Sequence, residues 1–194
     1  MSKKRVFAGV ILAFIGLSGC GLSPQTLAPQ PQITEQFSRV ANGQQVYVSV
    51  MDNRPSPVLG SRGGSYADTS TVSVKAERIL PRLRAEIDTV LRQQGFIPVS
   101  QPTNGAELVV SLESLTYKVP NNSNVANKVI VTAQFKATAH KLGQNFTGSY
   151  NANIERGFVV APNQEKNERV IAEALSDALV RVFKDPSLTR ILAQ

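Results

Sequence analysis

The sequence predicts an α+β protein, a two-layer sandwich of about four strands in a mixed sheet with two helices on one face. Three observations carry that expectation. Apolar residues alternate with period two near residues 46–50, 108–112, 129–139 and 146–154, and they repeat at helical spacing through residues 76–94 and 170–182. The resulting order is strand, long loop, helix, three strands, helix. It calls for one parallel crossover followed by hairpin connections.

Val46, Val48 and Val50 alternate with Tyr47 and Ser49, and the strand they define ends at Asp52. Asp52-Asn53-Arg54-Pro55-Ser56-Pro57 and Gly60-Ser61-Arg62-Gly63-Gly64 then read as a turn-rich loop of roughly 20 residues, and loops that long in a compact domain are usually functional or mobile. Ile79, Leu83, Ile87, Val90 and Leu91 make one helical stripe. Arg82 with Glu86, Arg84 with Asp88, and Asp88 with Arg92 are spaced as ion pairs on its solvated faces. Pro81 is expected in the first turn, and Gly95 stops the helix with Phe96 folding back on it.

Leu108, Val110 and Leu112 mark a strand to about Lys118. Val129, Val131, Ala133, Phe135, Ala137 and Ala139 share one face of a longer strand, and Thr132, Gln134, Lys136, Thr138 and His140 share a wet one. Leu142-Gly143-Gln144-Asn145 reads as a hairpin turn into the strand carrying Phe146, Gly148, Tyr150, Ala152 and Ile154. Val170, Ile171, Ala174, Leu175, Ala178, Leu179 and Val182 are the buried stripe of the last helix. Asp185 and Pro186 end it and can cap a short terminal turn.

Ahead of this domain, Lys3, Lys4 and Arg5 precede about a dozen mostly apolar residues, the length of a signal-peptide core and too short to span a bilayer. Leu17-Ser18-Gly19-Cys20 looks like a lipobox, and Cys20 is the sole cysteine. Residues 1–19 are therefore expected to be a lipoprotein signal peptide, with lipid on Cys20. Several acyl chains give a stable anchor where one holds only marginally. Gly21 and Leu22 stand where an inner-membrane retention signal usually carries Asp, which favours the outer membrane, facing the periplasm.

Residues 20–43 read as the lipidated Cys and a flexible Pro/Gln-rich tether, whose first dozen residues could hold the domain about 35 to 40 Å from the lipid in polyproline II form. Packing of the stretch from Ile33 to Phe37 on the domain is the alternative. Residues 44–194 make the single periplasmic domain. Loss of the signal takes the formal charge from +7 to +4, since Lys3, Lys4 and Arg5 leave and no acid does. With Cys20 carrying lipid, no thiol remains for a disulfide, and packing must supply stability.

The chain resembles the YajG family of bacterial lipoproteins. The resemblance rests on the lipobox, the valine-rich strand running into Asp52-Asn53-Arg54, the helix closing on Gln94-Gly95-Phe96, and Ala172-Glu173-Ala174-Leu175-Ser176-Asp177-Ala178-Leu179 followed by Asp185 and Ser187. It implies a periplasm-facing or outer-membrane lipoprotein of undefined activity and supplies no catalytic residues.

One histidine and one acylated cysteine leave no His/Cys zinc set. Glu107, Glu113 and Glu155 lack the spacing of an acid/base pair, so no enzyme and no cofactor is expected. His140 reads as a surface histidine, and Arg62-Gly63-Gly64 as a loop with less claim to be an anion cradle. Asp52, Arg54, Arg62 and Tyr66 form the candidate binding loop, although Asp52 and Arg54 are also spaced to pair locally. The expected role is a non-catalytic binding or scaffold module; the alternative is an auxiliary lipoprotein of an envelope lipid or glycan transport system. Its partners would be the membrane, through the anchor, and an envelope protein, lipid or glycan. The compartment excludes nucleic acid.

Overall fold

The computed structural model describes residues 22–64, 67–120 and 128–194. They form a mixed sheet of eight strands with three helices, so the α+β class holds and the expected four strands and two helices understate it. The strands are β1 (Gln25–Leu27), β2 (Gln45–Asp52), β3 (Val58–Ser61), β4 (Thr71–Val74), β5 (Ile97–Val99), β6 (Ala106–Lys118), β7 (Lys128–Lys141) and β8 (Gln144–Gly157). The helices are α1 (Ala76–Gln93), α2 (Gln164–Lys184) and α3 (Pro186–Ala193).

The central strand is β6. Along one edge it pairs antiparallel with β7, which pairs in turn with β8. Its other edge is shared. β2 runs parallel to the first half, from Val46 beside Ala106 to Asp52 beside Leu112, and carries β5 outside it. β3 meets the second half at Tyr117 and carries β4 and then β1 outside it. The sheet therefore forks.

The fork coincides with a bulge, for the register slips between Leu112 and Ser114 and leaves Glu113 as the extra residue. The slip re-phases the alternation. Leu108, Val110 and Leu112 point into the core before it, and Leu115 and Tyr117 do so after it. At Gly60 the β3 backbone comes so close to β6 that a Cβ would lie 2.0 Å from the Tyr117 carbonyl oxygen, which only glycine allows.

One face of the sheet is dry and the other wet, as the alternation in β7 predicts. Val131, Ala133, Phe135, Ala137 and Ala139 are fully buried with Val46, Leu108 and Val110, and the stripes of α1 and α2 complete that core. α1 stops as its sequence demands: Gly95 takes φ 91°, and the Phe96 N–H donates to the Leu91 carbonyl at 2.9 Å. Pro81 is a correction. It is the sixth residue of α1 and not in its first turn. It is tolerated on the exposed side, where water can meet the Glu77 carbonyl that its missing N–H leaves free. Asp185 caps α3 through the Ser187 N–H at 2.8 Å, with Pro186 as first residue.

The segment read as a flexible tether lies, from Leu22 onward, against the folded body. After β1 it runs as a strap between α1 and α2 and is tied to both. Arg82 donates to the Ala28 and Pro29 carbonyls, Glu168 accepts from the Ala28 N–H, Ser176 from that of Gln32, and Glu86 from that of Ile33. Leu27 is fully buried, and Phe37 meets Phe183 edge to face at 6.2 Å between centroids. Arg82 and Glu86 thus hold the strap in place of each other.

Candidate functional site

The predicted binding residues do not form one exposed set. Asp52 ends β2, and Arg54 turns back on it, with Nη2 at 2.7 Å and Nε at 2.8 Å from the two carboxylate oxygens. The same Nη2 donates to the Val74 carbonyl at 2.9 Å. Both side chains are nearly covered, 3% exposed for Arg54 and 10% for Asp52. Burial alone would raise the Asp52 pKa, but the Arg54 side chain, backbone N–H and charge outweigh it and hold the carboxyl below its usual range. Between them, Asn53 donates through its N–H to the Leu112 carbonyl and through its amide to Glu113. Asp52-Asn53-Arg54 therefore builds the fork, closing the bulge on one side and pinning the start of α1 on the other.

Arg62 is likewise engaged inside the protein. Nη1 donates to the Ser23 carbonyl at 2.8 Å and Nη2 to the Pro162 carbonyl at 3.0 Å, so one guanidinium ties the N-terminal segment to the β8–α2 connection. Beneath it, the Tyr117 hydroxyl donates to Asn167 Oδ1 at 2.9 Å, and Asn167 Nδ2 donates to Gln25 Oε1 at 2.7 Å. Burial pushes the Tyr117 hydroxyl up to about 12, against the opposing pull of the Arg62 charge and the Asn167 hydrogen bond. Tyr66 and Cys20 lie outside the described residues.

Sequence reasoning missed this network, yet a signal was present. Asn167 stands three residues before Val170 and four before Ile171, on the apolar stripe of α2, and a polar side chain at a core position must find partners. The loop of roughly 20 residues expected after Asp52 also contains β3, β4 and a short 3-10 turn at Ala67–Thr69. Each of these is too short to show a period.

The sheet itself offers an open face and an open edge among the described residues. The wet face of β6, β7 and β8 carries Gln134, Lys136, Thr138 and His140 beside Asn145, Thr147, Ser149 and Asn151, with cross-strand bonds such as Thr138 to Thr147 at 3.0 Å. His140 is exposed there, as expected of a surface histidine. Next to that face, β8 pairs only with β7 among the described residues and leaves a 14-residue edge. That edge lacks the devices that usually blunt one: it has no proline and no bulge, and its charges, Glu155 and Arg156, are confined to one end. Glu155 pairs with Lys128 and Arg156 with Glu173, so neither projects an unpaired charge toward a neighbour.

Residues 31–193 match a family described as uncharacterized lipoproteins, the YajG-like family that the lipobox and the Asp52-Asn53-Arg54 turn resemble. The chain belongs to this family. Among solved structures it is similar to the protein XCC0632 from Xanthomonas campestris, at 10% identity and a TM-score of 0.52, covering 88% of this chain and 94% of that one. That likeness shows a shared fold. A minor lipoprotein from Acinetobacter baumannii follows at 10% identity and TM-score 0.46, covering 80% of this chain and 98% of that one. The lipoprotein GNA1162 from Neisseria meningitidis has 10% identity and TM-score 0.37, covering 73% and 99%. No protein of curated function matches the sequence. Membership of a lipoprotein family assigns the chain to the cell envelope.

Proposed function

We propose that this family member is a lipid-anchored lipoprotein of the outer membrane, facing the periplasm, that binds another envelope component without catalysing a reaction. The open edge of β8 beside the wet face carries the reading. A 14-residue edge offers a row of unpaired backbone donors and acceptors, and an extended segment of an envelope protein can add to it as a further strand. The neighbouring Thr, Ser, Asn and Gln side chains supply adaptable hydrogen bonds for register. Asp52, Arg54 and Arg62 support the reading indirectly, because their charges are spent on holding the fold, which moves the candidate contact surface from the loop to the sheet.

The anchor is tested by Cys20→Ser, which should abolish lipid labelling and release the protein from membranes or leave it unprocessed; undiminished labelling would contradict the anchor. Fractionation of the wild type should then place it with outer membranes. Co-purification from crosslinked envelopes identifies the partner, and recovery of a lipid or glycan transporter would favour the auxiliary-subunit role.

A further inference from the structure

We infer that the end of the molecule bearing Leu22, Val159 and Val160 is a membrane-docking surface, seated directly on the phospholipid bilayer that holds the anchor. The inference rests on the proposed acylation of Cys20 and adds the orientation of the whole body. Cys20 is two residues from Leu22, a reach of at most about 7 Å along an extended chain. No tether separates them.

From Leu22 on, the chain is held. Ser23 is gripped by Arg62, Gln25 by Asn167, and Leu27 is fully buried. The same Arg62 grips Pro162, so the connection carrying Val159 and Val160 lies at the end of the molecule where the chain emerges from its anchor. There the protein exposes adjacent apolar side chains, 92% of Val159 and 63% of Val160, while Phe158 just before them packs on the core and under Lys166. A pair of exposed valines at the end where Leu22 enters the fold, two residues after the proposed acylation site, fits the interfacial region of a bilayer, where apolar groups sink about 5–10 Å below the headgroups. Exposed Lys118 and Lys166 flank the site, and of the acids at this end Glu165 is paired with Arg169, Glu155 with Lys128, and Glu168 accepts from the Ala28 N–H.

The orientation has a functional consequence. β7 runs away from this end and β6 and β8 run toward it, each spanning 13 to 14 residues, roughly 45 Å at ~3.3 Å per residue. The β7–β8 turn at Leu142 and Gly143 therefore stands at the far end. The strands themselves, and not a tether, carry the open edge and wet face into the periplasm.

The test places a fluorophore on Val160→Cys or, as the far-end control, Leu142→Cys in the full-length lipoprotein, reconstituted in vesicles of phosphatidylethanolamine and phosphatidylglycerol containing a nitroxide quencher in the acyl region. Mass spectrometry of the N-terminal peptide reports acylation of Cys20 in the same samples. With Cys20 acylated, the probe at position 160 should lose most of its fluorescence and the probe at 142 almost none. Equal quenching at both positions, or quenching at 142 alone, in acylated protein would overturn the docking surface and leave the anchor standing. An unacylated Cys20 would overturn both.

Discussion

Arg54 shows how a residue that reads as a ligand contact can be a structural one. It neutralises Asp52, satisfies the Val74 carbonyl and is itself almost wholly buried. Arg54→Ala should cost about 3 kcal/mol in urea melts, because it strands a covered carboxylate. The pH dependence follows from the depressed Asp52 pKa. The stabilisation is fully present above the unfolded carboxyl value of about 3.9 and is lost as the pH falls through the lower folded value. The stability gap between wild type and Asp52→Asn should therefore be widest near neutral pH and close below about pH 4. The turn between β7 and β8 offers the opposite case. Leu142 at φ 50° and Gly143 at φ 79° give the two positive φ values of a type I′ hairpin, and Leu142 is 78% exposed. Leu142→Asn should raise stability by about 1 kcal/mol in thermal melts, since asparagine accepts the left-handed region that leucine resists.

At the scale of elements, legibility followed periodicity. β7 and the apolar stripes of α1 and α2 were readable because each repeats its pattern over many residues. Leu112 and Leu115 both face the core across a bulge, so alternation alone could not reveal that one long strand serves two neighbours. The strap was hidden for a related reason. Leu27, Ile33, Phe37 and Ala41 contact the core six, four and four residues apart, too sparse a set among polar residues to read as a stripe, and prolines at 24, 29 and 31 suggested a linker. Its partners were visible only as charged residues on helix faces, which read as solvated. Leu27→Ala should cost about 2–5 kcal/mol in thermal or urea melts, as for any fully buried leucine. A change within ~0.5 kcal/mol would mean the segment behaves as a linker.

Across the whole molecule, local chemistry and topology assign different roles to the two sheet faces. The dry face is closed by three helices and a strap, whereas the wet face ends in an edge that nothing covers among the described residues. The sequence showed the wet face of β7 through its Thr, Gln and Lys alternation. That β8 is the last strand on its side could be known only from the sheet order. The proposed contact surface for the partner is this edge and face. It is tested most directly by placing a photo-crosslinking amino acid at Gln134 or Asn151, both exposed on the wet face, and at Ala85, exposed on α1, in living cells. Positions 134 and 151 should give a discrete crosslinked product and position 85 none; products from 85 with none from the sheet would rule out the sheet as the contact surface.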